Sequence, residues 1–443
     1  MTAVMPQARP YVGPAGRAHG AVPERAEPLV TVLPLTGVVA PAEPEVAARP
    51  GVPARASSVG RQPEAAAEPT LPARARSVGR WLAVLLLTYL LVSAVGIIGD
   101  GFKTATGGHA EELFAFATNP VVGLMVGILA TALMQSSSTV TSIIVGLVAG
   151  GLPVAIAIPM IMGANIGTTV TNTLVALGFV GERDEFRRAF SAATVHDWFN
   201  LLAVAIFLPL EMMTGFLART TAPLAEAMVG GATVDASGLD FMDAATAPVA
   251  AGAEAAAGVL GSAQGVAIIV LGVGLMVVVI RLLGSLLKTL MVGRAKAILQ
   301  GSIGRGPLTG LGAGTAVTLL VQSSSVTTSL MVPFAGSGAF TLRTIYPFLL
   351  GANIGTTVTA LLASTVVTGP TAVVALQIAL VHLLFNVSGV LVIYGLPVLR
   401  EVPVLMAERL ARSATEHKTL AAAWTGGMFL ALPGALIAGS AMV

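Results

Sequence analysis

The sequence predicts an all-α polytopic membrane protein with two inverted-topology repeats, each containing a re-entrant helical hairpin and about three transmembrane helices, plus an extra C-terminal helix. Three observations predict this class. The 443 residues are 55% hydrophobic and 10% charged, and at least six apolar segments approach the roughly 20 residues that a bilayer crossing needs. Polar motifs occur twice in the same order, and the basic residues are sorted between alternate loops.

Two of the repeated motifs are identical in both copies. Gln-Ser-Ser-Ser occurs at 135–138 and again at 322–325, 187 positions later. Gly-Ala-Asn-Ile-Gly-Thr-Thr-Val-Thr occurs at 163–171 and returns unchanged at 351–359, 188 positions later. Each copy is a cluster of uncharged hydrogen-bonding groups inside apolar sequence, and such clusters need a partner within a membrane.

A third motif shows the same offset. His-Asp-Trp-Phe-Asn at 196–200 is matched by His-Leu-Leu-Phe-Asn at 382–386, 186 positions later. Three motifs in one order at nearly one offset indicate an internal duplication. We interpret His196 and His382 as structural residues, because aromatic and apolar side chains surround both of them in the sequence.

The composition argues against several classes of function. Without Cys the chain has no disulfide framework and no thiolate metal site, and its five His lack metal-ligand spacing. The net charge is only +2, so membrane topology explains the basic residues better than nucleic-acid binding does. No nucleophile, base and orienting group recur together, so we expect neither an enzyme nor catalytic residues.

The first 79 residues predict a disordered cytoplasmic tail. They are rich in Ala, Pro, Arg and Glu, lack helical periodicity and contain few aromatic residues. Their apolar runs are interrupted by Pro and Glu, and the first long apolar segment begins at Trp81, so the tail is not a signal peptide.

The two Gln-Ser-Ser-Ser motifs predict re-entrant hairpins. The first lies in the middle of the apolar block 121–150, and in both copies the Gln follows a proline, Pro120 or Pro307, by 15 residues. Fifteen helical residues reach about 22 Å, short of a roughly 30 Å hydrocarbon core. Two half-helices that meet at a polar tip fit each block, and such a tip must be buried in protein or line a wet cavity.

The remaining apolar segments predict full crossings at 81–99, 153–180, 189–210, 264–290, 344–367, 371–397 and 420–441. If both hairpins return to their own side, sixteen basic residues fall inside and only Lys103 and Arg219 outside. If the blocks crossed fully, the basic clusters at 183–188 and 281–305 would fall outside. The positive-inside rule therefore favours hairpins.

Three crossings per repeat invert the second copy relative to the first. The sequence thus divides into repeat 1 (80–210), an acidic extracytoplasmic linker (211–262), inverted repeat 2 (263–398), and a cytoplasmic loop with an extra C-terminal transmembrane helix (399–443). Inverted repeats with broken helices are typical of secondary transporters. We expect a multi-pass protein of the cell membrane with a cytoplasmic N-terminus.

The motifs offer ligands of two kinds. No Asp, Glu, Lys, Arg or His lies between Glu112 and Glu182, so an anion at the first hairpin must be held by hydroxyls, amides and backbone N–H groups. Serine hydroxyls and the first turn of a half-helix supply such donors. The Asn-Ile-Gly-Thr-Thr-Val-Thr stretches offer oxygens to a cation, with carbonyl groups wherever glycine unwinds the helix; those glycines are Gly163, Gly167, Gly351 and Gly355. The type of ion is not readable from these residues.

Asp197 is the strongest single charge in the predicted core. It lies about 13 Å into the span that follows Arg188 and has no basic neighbour in its own helix. An intramembrane carboxylate is a functional candidate because an unpaired charge there costs at least about 2.5 kcal/mol. The second repeat has Leu383 at this place, so the repeat architecture does not require the carboxylate.

Four segments of repeat 1 resemble the type II sodium-phosphate cotransporter family. They are Gln-Ser-Ser-Ser-Thr at 135–139, the motif at 163–173, Glu-Arg-Asp-Glu-Phe-Arg-Arg-Ala-Phe at 182–190 and Ala-Thr-Val-His-Asp at 193–197. The resemblance covers residues 85–400 or so and implies sodium-driven phosphate uptake, with phosphate at the two tips. In that family an Asp at the position of Asp197 accompanies an additional sodium ion and electrogenic transport.

The resemblance implies two sets of ligands. The predicted phosphate ligands are Gln135, Ser136, Ser137, Ser138, Gln322, Ser323, Ser324, Ser325, Asn165 and Asn353. The predicted sodium ligands are Asp197, Asn200, Thr168, Thr169, Gln322, Ser323, Thr356, Thr357 and Thr359. Sodium is the only metal expected, as a coupling ion and not as a cofactor. The expected partners are inorganic phosphate, sodium ions and membrane lipid, without nucleic acid, and the oligomeric state is not readable.

Two alternatives remain open at this point. Hydroxyl-lined sites do not by themselves fix substrate or direction, so the transporter could carry another oxyanion or export phosphate. A different class of function is a non-transporting membrane sensor or scaffold whose N-terminal tail would transmit the signal.

Overall fold

A computed structural model of the chain describes residues 71–107, 119–231, 240–302, 305–365 and 367–440, and every regular element in these ranges is a helix. Most of the predicted disordered tail, residues 1–70, lies outside the described ranges. The last part of that prediction is wrong, because the first helix begins at Leu71 and residues 71–79 belong to it. Pro72 stands in the first turn of this helix, where its missing N–H group costs no hydrogen bond.

In chain order the α-helices are α1 (Leu71–Thr106), α2 (Pro120–Met134), α3 (Ser137–Ala149), α4 (Val154–Thr168), α5 (Val170–Leu177), α6 (Arg183–Thr214), α7 (Phe216–Gly231), α8 (Asp240–Ala257), α9 (Gln264–Ser302), α10 (Pro307–Val321), α11 (Ser324–Ser329), α12 (Met331–Gly336), α13 (Leu342–Ser364), α14 (Ala372–Gly389), α15 (Pro397–Glu416), α16 (Lys418–Gly426) and α17 (Leu432–Ser440). Short 3₁₀ segments precede α9 and α14. A π-helical turn, Val390–Tyr394, extends α14, and a second, Gly427–Ala431, joins α16 to α17.

Seven helical segments among the described residues are long and apolar enough to cross a membrane: Val78–Ala105, Val154–Leu177, Arg183–Thr214, Gln264–Leu282, Leu342–Ser364, Gly369–Tyr394 and Lys418–Ser440. Each overlaps one of the seven spans expected from the sequence. The all-α, multi-pass architecture is confirmed. Three shorter apolar helices, α2, α3 and α10, coincide with the predicted hairpin blocks.

The spans that carry the repeated motifs form the core. The most apolar windows of Val154–Leu177 and Leu342–Ser364 are 83% and 78% buried, whereas those of Gln264–Leu282 and Lys418–Ser440 are 33% and 22% buried. The polar motifs are therefore enclosed by protein, and the peripheral helices present apolar side chains outward. Such an arrangement keeps hydrogen-bonding side chains away from lipid.

The helix breaks where each Gln-Ser pair stands. Gln135, between α2 and α3, and Gln322, between α10 and α11, both have φ 55°, and they are the only non-glycine residues with positive φ among those described. Their ψ angles, 27° and 29°, also agree. The two copies thus share one backbone conformation as well as one sequence. Re-entry of each helix pair from one side of the membrane stays a prediction.

Glycine brings the helix backbones of each repeat into contact. A Cβ atom on Gly163 of α4 would collide with the carbonyl oxygen of Leu124 in α2. In repeat 2 a Cβ atom on Gly351 of α13 would collide with the carbonyl oxygen of Leu311 in α10. The same crossing therefore packs the first half of each helix pair against the span that carries the nine-residue motif.

The prediction that glycine unwinds these spans is wrong. Gly163 and Gly167 lie inside α4, and Gly351 and Gly355 lie inside α13. Their absent side chains permit close helix packing, and the surrounding helices supply enough contact to hold the backbone regular. The helical path is interrupted only at Thr169, where α4 gives way to α5.

Two regions expected to be connections are helical. The predicted linker 211–262 contains α7 and α8; the side of the membrane on which it lies stays a prediction. The predicted cytoplasmic loop begins with α15, which packs against α6. Its buried residues Val404, Ala407, Ala411 and Ala414 recur every three or four positions, so a narrow apolar stripe is enough to dock a highly charged helix.

Candidate functional site

The first tip (residues 135–138) is held by hydrogen bonds from its own helices and from the motif at 163–171. The Gln135 amide Nε2 donates to the Ala132 carbonyl oxygen at 2.6 Å, and its Oε1 accepts from the Thr171 hydroxyl at 2.9 Å. Ser136 caps α3 because its Oγ accepts from the Thr139 backbone N–H at 3.3 Å. Gln135 and Ser136, both predicted phosphate ligands, thus help to shape the break.

The second tip (residues 322–325) repeats this arrangement. Gln322 Nε2 donates to the Leu319 carbonyl oxygen at 2.8 Å, and its Oε1 accepts from the Thr359 hydroxyl at 3.4 Å. Ser323 caps α11 by accepting from the Val326 backbone N–H at 3.3 Å. Thr171 and Thr359 are the last residues of the two nine-residue motifs. Thr359 is among the predicted sodium ligands and Thr171 is not, although the repeat itself indicates that the two residues are equivalent.

The serines that follow each cap face the protein interior. Ser137 and Ser324 are each 3% exposed, and Ser138 and Ser325 are also buried. The Ser137 hydroxyl has no hydrogen-bond partner among the described residues, so a buried donor and acceptor is left at the first tip. A buried hydroxyl without a partner costs free energy, which a ligand would recover.

The helix that begins at each tip packs against a helix of the other repeat that carries all or part of the nine-residue motif. Helix α3, which begins at the first tip, contacts α13, and helix α11, which begins at the second tip, contacts α5. The two repeats thus contact each other through equivalent helices.

A buried chain of polar side chains links the repeats. His196 Nε2 lies 2.6 Å from Asn353 Oδ1, Asn353 Nδ2 donates to Asn200 Oδ1 at 2.8 Å, and Asn200 Nδ2 donates to the Asn165 carbonyl oxygen at 2.9 Å. The Asn165 side chain itself donates to the Ile161 carbonyl oxygen. The structure therefore joins Asn353, a predicted phosphate ligand, to Asn200, a predicted sodium ligand.

Asn172 extends this chain into the second hairpin block. Its Oδ1 accepts from the Thr328 hydroxyl at 2.9 Å and from the Ser329 hydroxyl at 3.1 Å, and its Nδ2 lies 3.4 Å from His196 Nδ1. Sequence reasoning missed Asn172 as a site residue, although it follows the nine-residue motif directly. His196 is packed, as predicted, and is also a member of the polar chain. His382 is buried, and neither of its ring nitrogens has a hydrogen-bond partner in the described part of the chain.

The motif threonines are buried and present oxygen atoms. The hydroxyls of Thr168, Thr169, Thr356 and Thr357 each donate to a carbonyl oxygen three or four residues earlier, at 2.8 to 2.9 Å. A hydroxyl whose proton is committed in this way keeps lone pairs for another partner. These four predicted sodium ligands are therefore arranged as acceptors.

Asp197 is the only Asp, Glu, Lys or Arg among the described residues that is buried, with 0% exposure. Its Oδ2 accepts from the Trp424 indole Nε1 at 2.9 Å, and its Oδ1 has no hydrogen-bond partner there. The Thr169 hydroxyl lies within interaction range of this carboxylate, while its proton goes to the Ile166 carbonyl oxygen. That Asp197 and Asn200 share one sodium ion stays a prediction; the Asn200 side chain bonds to Asn353 and to the Asn165 carbonyl oxygen.

The sequence of this chain matches a known family. The family model described as Na+/Pi-cotransporter matches residues 90–244 and 275–400, and thus both tips and both motifs. The chain is 36% identical over 417 residues to the sodium-dependent phosphate transport protein 2A of Rattus norvegicus, covering 78% of this chain and 65% of that protein.

A second relative gives the same result. The chain is 32% identical over 449 residues to the sodium-dependent phosphate transport protein 2B of Homo sapiens, covering 80% of this chain and 64% of that protein. The chain thus spans slightly less than two thirds of the curated relatives' length. No solved structure matches it significantly. On the match of the family model and these identities, the chain belongs to the Na+/Pi-cotransporter family.

Proposed function

We propose that the protein is a secondary active symporter of the cell membrane, which couples sodium to the uptake of inorganic phosphate by alternating access. The observation that carries the proposal is the pair of tips with one sequence, one backbone conformation and reciprocal contacts with the opposite repeat. The names of the two relatives reported above, sodium-dependent phosphate transport proteins, supply the ion and the substrate.

Phosphate binds at the two tips in this proposal. The buried hydroxyls of Ser137 and Ser324 are neutral donors that also accept, and hydrogen phosphate needs both kinds of partner. Helix α3 begins at the first tip, so the N–H groups of its first turn have no partner within the helix. Neutral donors at a helix N-terminus suit an anion that must bind and then leave.

Sodium binds beside the tips, at the electron-rich oxygens of the motif threonines and of Asp197. The Asp197 Oδ1 atom has no hydrogen-bond partner among the described residues, and the Thr169 hydroxyl, a neighbour of this carboxylate, donates its proton to the Ile166 carbonyl oxygen. A cation would neutralise the buried carboxylate and satisfy both oxygens at once. The second repeat has Leu383 at the equivalent position, so the ion at Asp197 has no symmetric counterpart. In the family that this sequence resembles, an Asp at this position accompanies an additional sodium ion and electrogenic transport, and on that resemblance we propose that uptake here is electrogenic.

Alternating access follows from the inverted repeats. The first hairpin opens to the outside and the second to the cytoplasm, so that rocking of one repeat against the other exposes the tips in turn. A cavity of about 440 Å³ lies beside the end of α12 and is lined by Arg187, Arg188 and Arg412 together with Glu408. If this end of the second hairpin block faces the cytoplasm, the arginines form a basic vestibule that attracts the released anion.

Uptake of labelled phosphate into proteoliposomes tests the proposal. We expect an inward sodium gradient to drive accumulation, and equimolar potassium or choline to support none. Sodium-driven uptake of labelled sulfate without uptake of labelled phosphate would assign another oxyanion, and efflux without influx would assign an exporter. Absence of any sodium-dependent flux in correctly folded protein would favour a sensor or scaffold.

A further inference from the structure

The last span, Lys418–Ser440, has no counterpart in the first repeat, yet it reaches the only buried carboxylate of the described chain. The contact is the 2.9 Å hydrogen bond from Trp424 Nε1 to Asp197 Oδ2, which joins residues 227 positions apart. The Trp424 ring also packs on the Trp198 ring, with centroids 5.0 Å apart. A peripheral helix thus supplies the hydrogen-bond partner of a residue in the core.

The chemistry of indole limits what Trp424 can do there. Its N–H group is a donor only, so it cannot coordinate a cation. It fixes one oxygen of the carboxylate, Oδ2, and leaves the second, Oδ1, without a hydrogen-bond partner among the described residues. A neutral donor of this kind orients the carboxylate and leaves its charge in place.

The surroundings show that the last span is built into this region. The π-helical turn Gly427–Ala431 and α17 contact α2, the first half of the first hairpin block, and α16 contacts α5, which follows Thr169. The π-turn begins three residues after Trp424, and π-turns inside helices are frequent at functional sites. The last span therefore contacts both the first hairpin block and the helix that follows Thr169.

We propose that Trp424 is a positioning residue for the cation site, and that the last span is an integral part of this site. Trp424 holds Asp197 Oδ2 so that Oδ1 is presented to sodium before the ion arrives. This inference rests on the proposed function of Asp197 as a sodium ligand. Without the indole N–H the carboxylate must be ordered when the ion binds, and ordering one side chain weakens binding about two- to tenfold.

The substitution Trp424→Phe tests the inference, because it keeps an aromatic ring against Trp198 and removes the N–H donor. We expect the sodium concentration for half-maximal phosphate uptake to rise about two- to tenfold, with the apparent phosphate affinity at saturating sodium unchanged. Trp198→Phe is the matched control, since the Trp198 Nε1 atom has no hydrogen-bond partner among the described residues. This control should leave the sodium dependence at the wild-type value.

A double-mutant cycle separates this inference from the function on which it rests. In an Asp197→Gly background, Trp424→Phe should add no further change in sodium dependence. The positioning role is wrong if Trp424→Phe behaves like Trp198→Phe, or if its effect persists without Asp197. If Asp197→Gly alone leaves the sodium dependence unchanged, then the cation site itself is wrong, and the role of Trp424 falls with it.

A binding measurement decides the inference even if Trp424→Phe does not fold or transport is not observed. The chain has three Trp, so the variant Trp81→Phe with Trp198→Phe leaves Trp424 as the sole indole fluorophore. Titration with sodium chloride against choline chloride at constant ionic strength should change its emission saturably, and Asp197→Gly should abolish that change. Identical responses to sodium and choline would overturn the inference.

Discussion

The glutamines at the two tips adopt a backbone conformation that glycine would adopt more easily. Residues with a side chain pay roughly 1–2 kcal/mol for the left-handed region. Gln135 and Gln322 both retain a side chain whose carbonyl oxygen accepts from a motif threonine. The glutamine side chain thus connects the tip to the motif through a hydrogen bond. Glycine would be less strained at this position but could not form that bond.

The serines beside these glutamines give the first prediction. Ser137→Ala combined with Ser324→Ala should abolish phosphate uptake and leave thermal stability nearly unchanged, because the hydroxyls serve the ligand and not the fold. Each lost hydrogen bond to a charged ligand costs about 1.5 to 3 kcal/mol, or roughly ten- to hundredfold in affinity. Ser93→Ala, a buried serine on α1 that bonds to its own helix, is the control. Wild-type uptake by the double variant would refute the tip site.

Asp197 gives a second prediction at the residue scale. Wild-type uptake should carry net positive charge inward, and Asp197→Gly should leave uptake measurable but insensitive to membrane potential. Removal of the carboxylate deletes a cation site and also a buried charge, so the protein should remain folded. A potassium-valinomycin potential, negative inside, provides the measurement, and the exposed residue Asp184 provides the control Asp184→Asn. If the potential does not accelerate wild-type uptake, Asp197 is not the ligand of a transported sodium ion.

At the scale of elements, the crossings between α2 and α4 and between α10 and α13 hold each half-helix at a fixed distance from its motif. Both crossings depend on glycine, and both place backbone against backbone. Small residues are the usual means of such approach in membranes, where dispersion and hydrogen bonding replace the hydrophobic effect between helices. The glycines of the duplicated motif thus have a packing role, beside the ligand role that we propose for its polar residues.

Gly163→Ala tests this packing role. The added Cβ would collide with the Leu124 carbonyl oxygen, so we expect a loss of about 1–3 kcal/mol of stability and a lower Tm in detergent. The matched control is Gly312→Ala in α10, where no atom lies within 4 Å of the added Cβ. There alanine should be neutral or stabilise by about 0.5–1 kcal/mol, since glycine is the poorer helix former. Equal Tm values for the two variants would contradict the crossing.

At the scale of the whole molecule, the two repeats are joined through their interiors as well as through the linker. The polar chain runs from Thr328 of repeat 2 through Asn172 and His196 of repeat 1 to Asn353 of repeat 2. Every hydrogen bond in this chain is buried, and an unpaired buried polar group is costly. The chain would therefore have to replace these bonds with another complete set in one step. Such a chain is suited to a protein that moves between two arrangements of the same repeats.

The inverted topology itself gives the fourth prediction. Position 187 should face the cytoplasm and position 235, which lies outside the described residues, should face the exterior. Single-Cys variants Arg187→Cys and Asp235→Cys are simple to interpret because the parent chain has no Cys. An impermeant thiol reagent on intact cells should label position 235 and reach position 187 only after permeabilisation. The reverse pattern would exclude the proposed orientation.

The sequence by itself determined the seven spans, the duplication and the place of each helix break. These features can be read from the sequence because they are local or repeated. A membrane crossing needs a continuous apolar segment, and each helix break coincides with a Gln-Ser pair. The sequence did not reveal that the motif glycines pack helices instead of unwinding them, or that α15 is a docked helix. The glycine packing and the docking of α15 both depend on which neighbouring surface a helix contacts. The local sequence of a helix does not specify that neighbour.

Only the tertiary structure decided which polar groups meet. Asp197 and Trp424 are 227 positions apart, and His196 and Asn353 are 157 positions apart. Helical periodicity places a residue on a face of its own helix but does not say which distant helix covers that face. Burial then forces each polar group to find a partner within reach, and the packing of the helices determines that partner. For this reason the candidate ligands could be predicted from the repeated motifs, whereas the hydrogen bonds among them, and the role of the last span, could not.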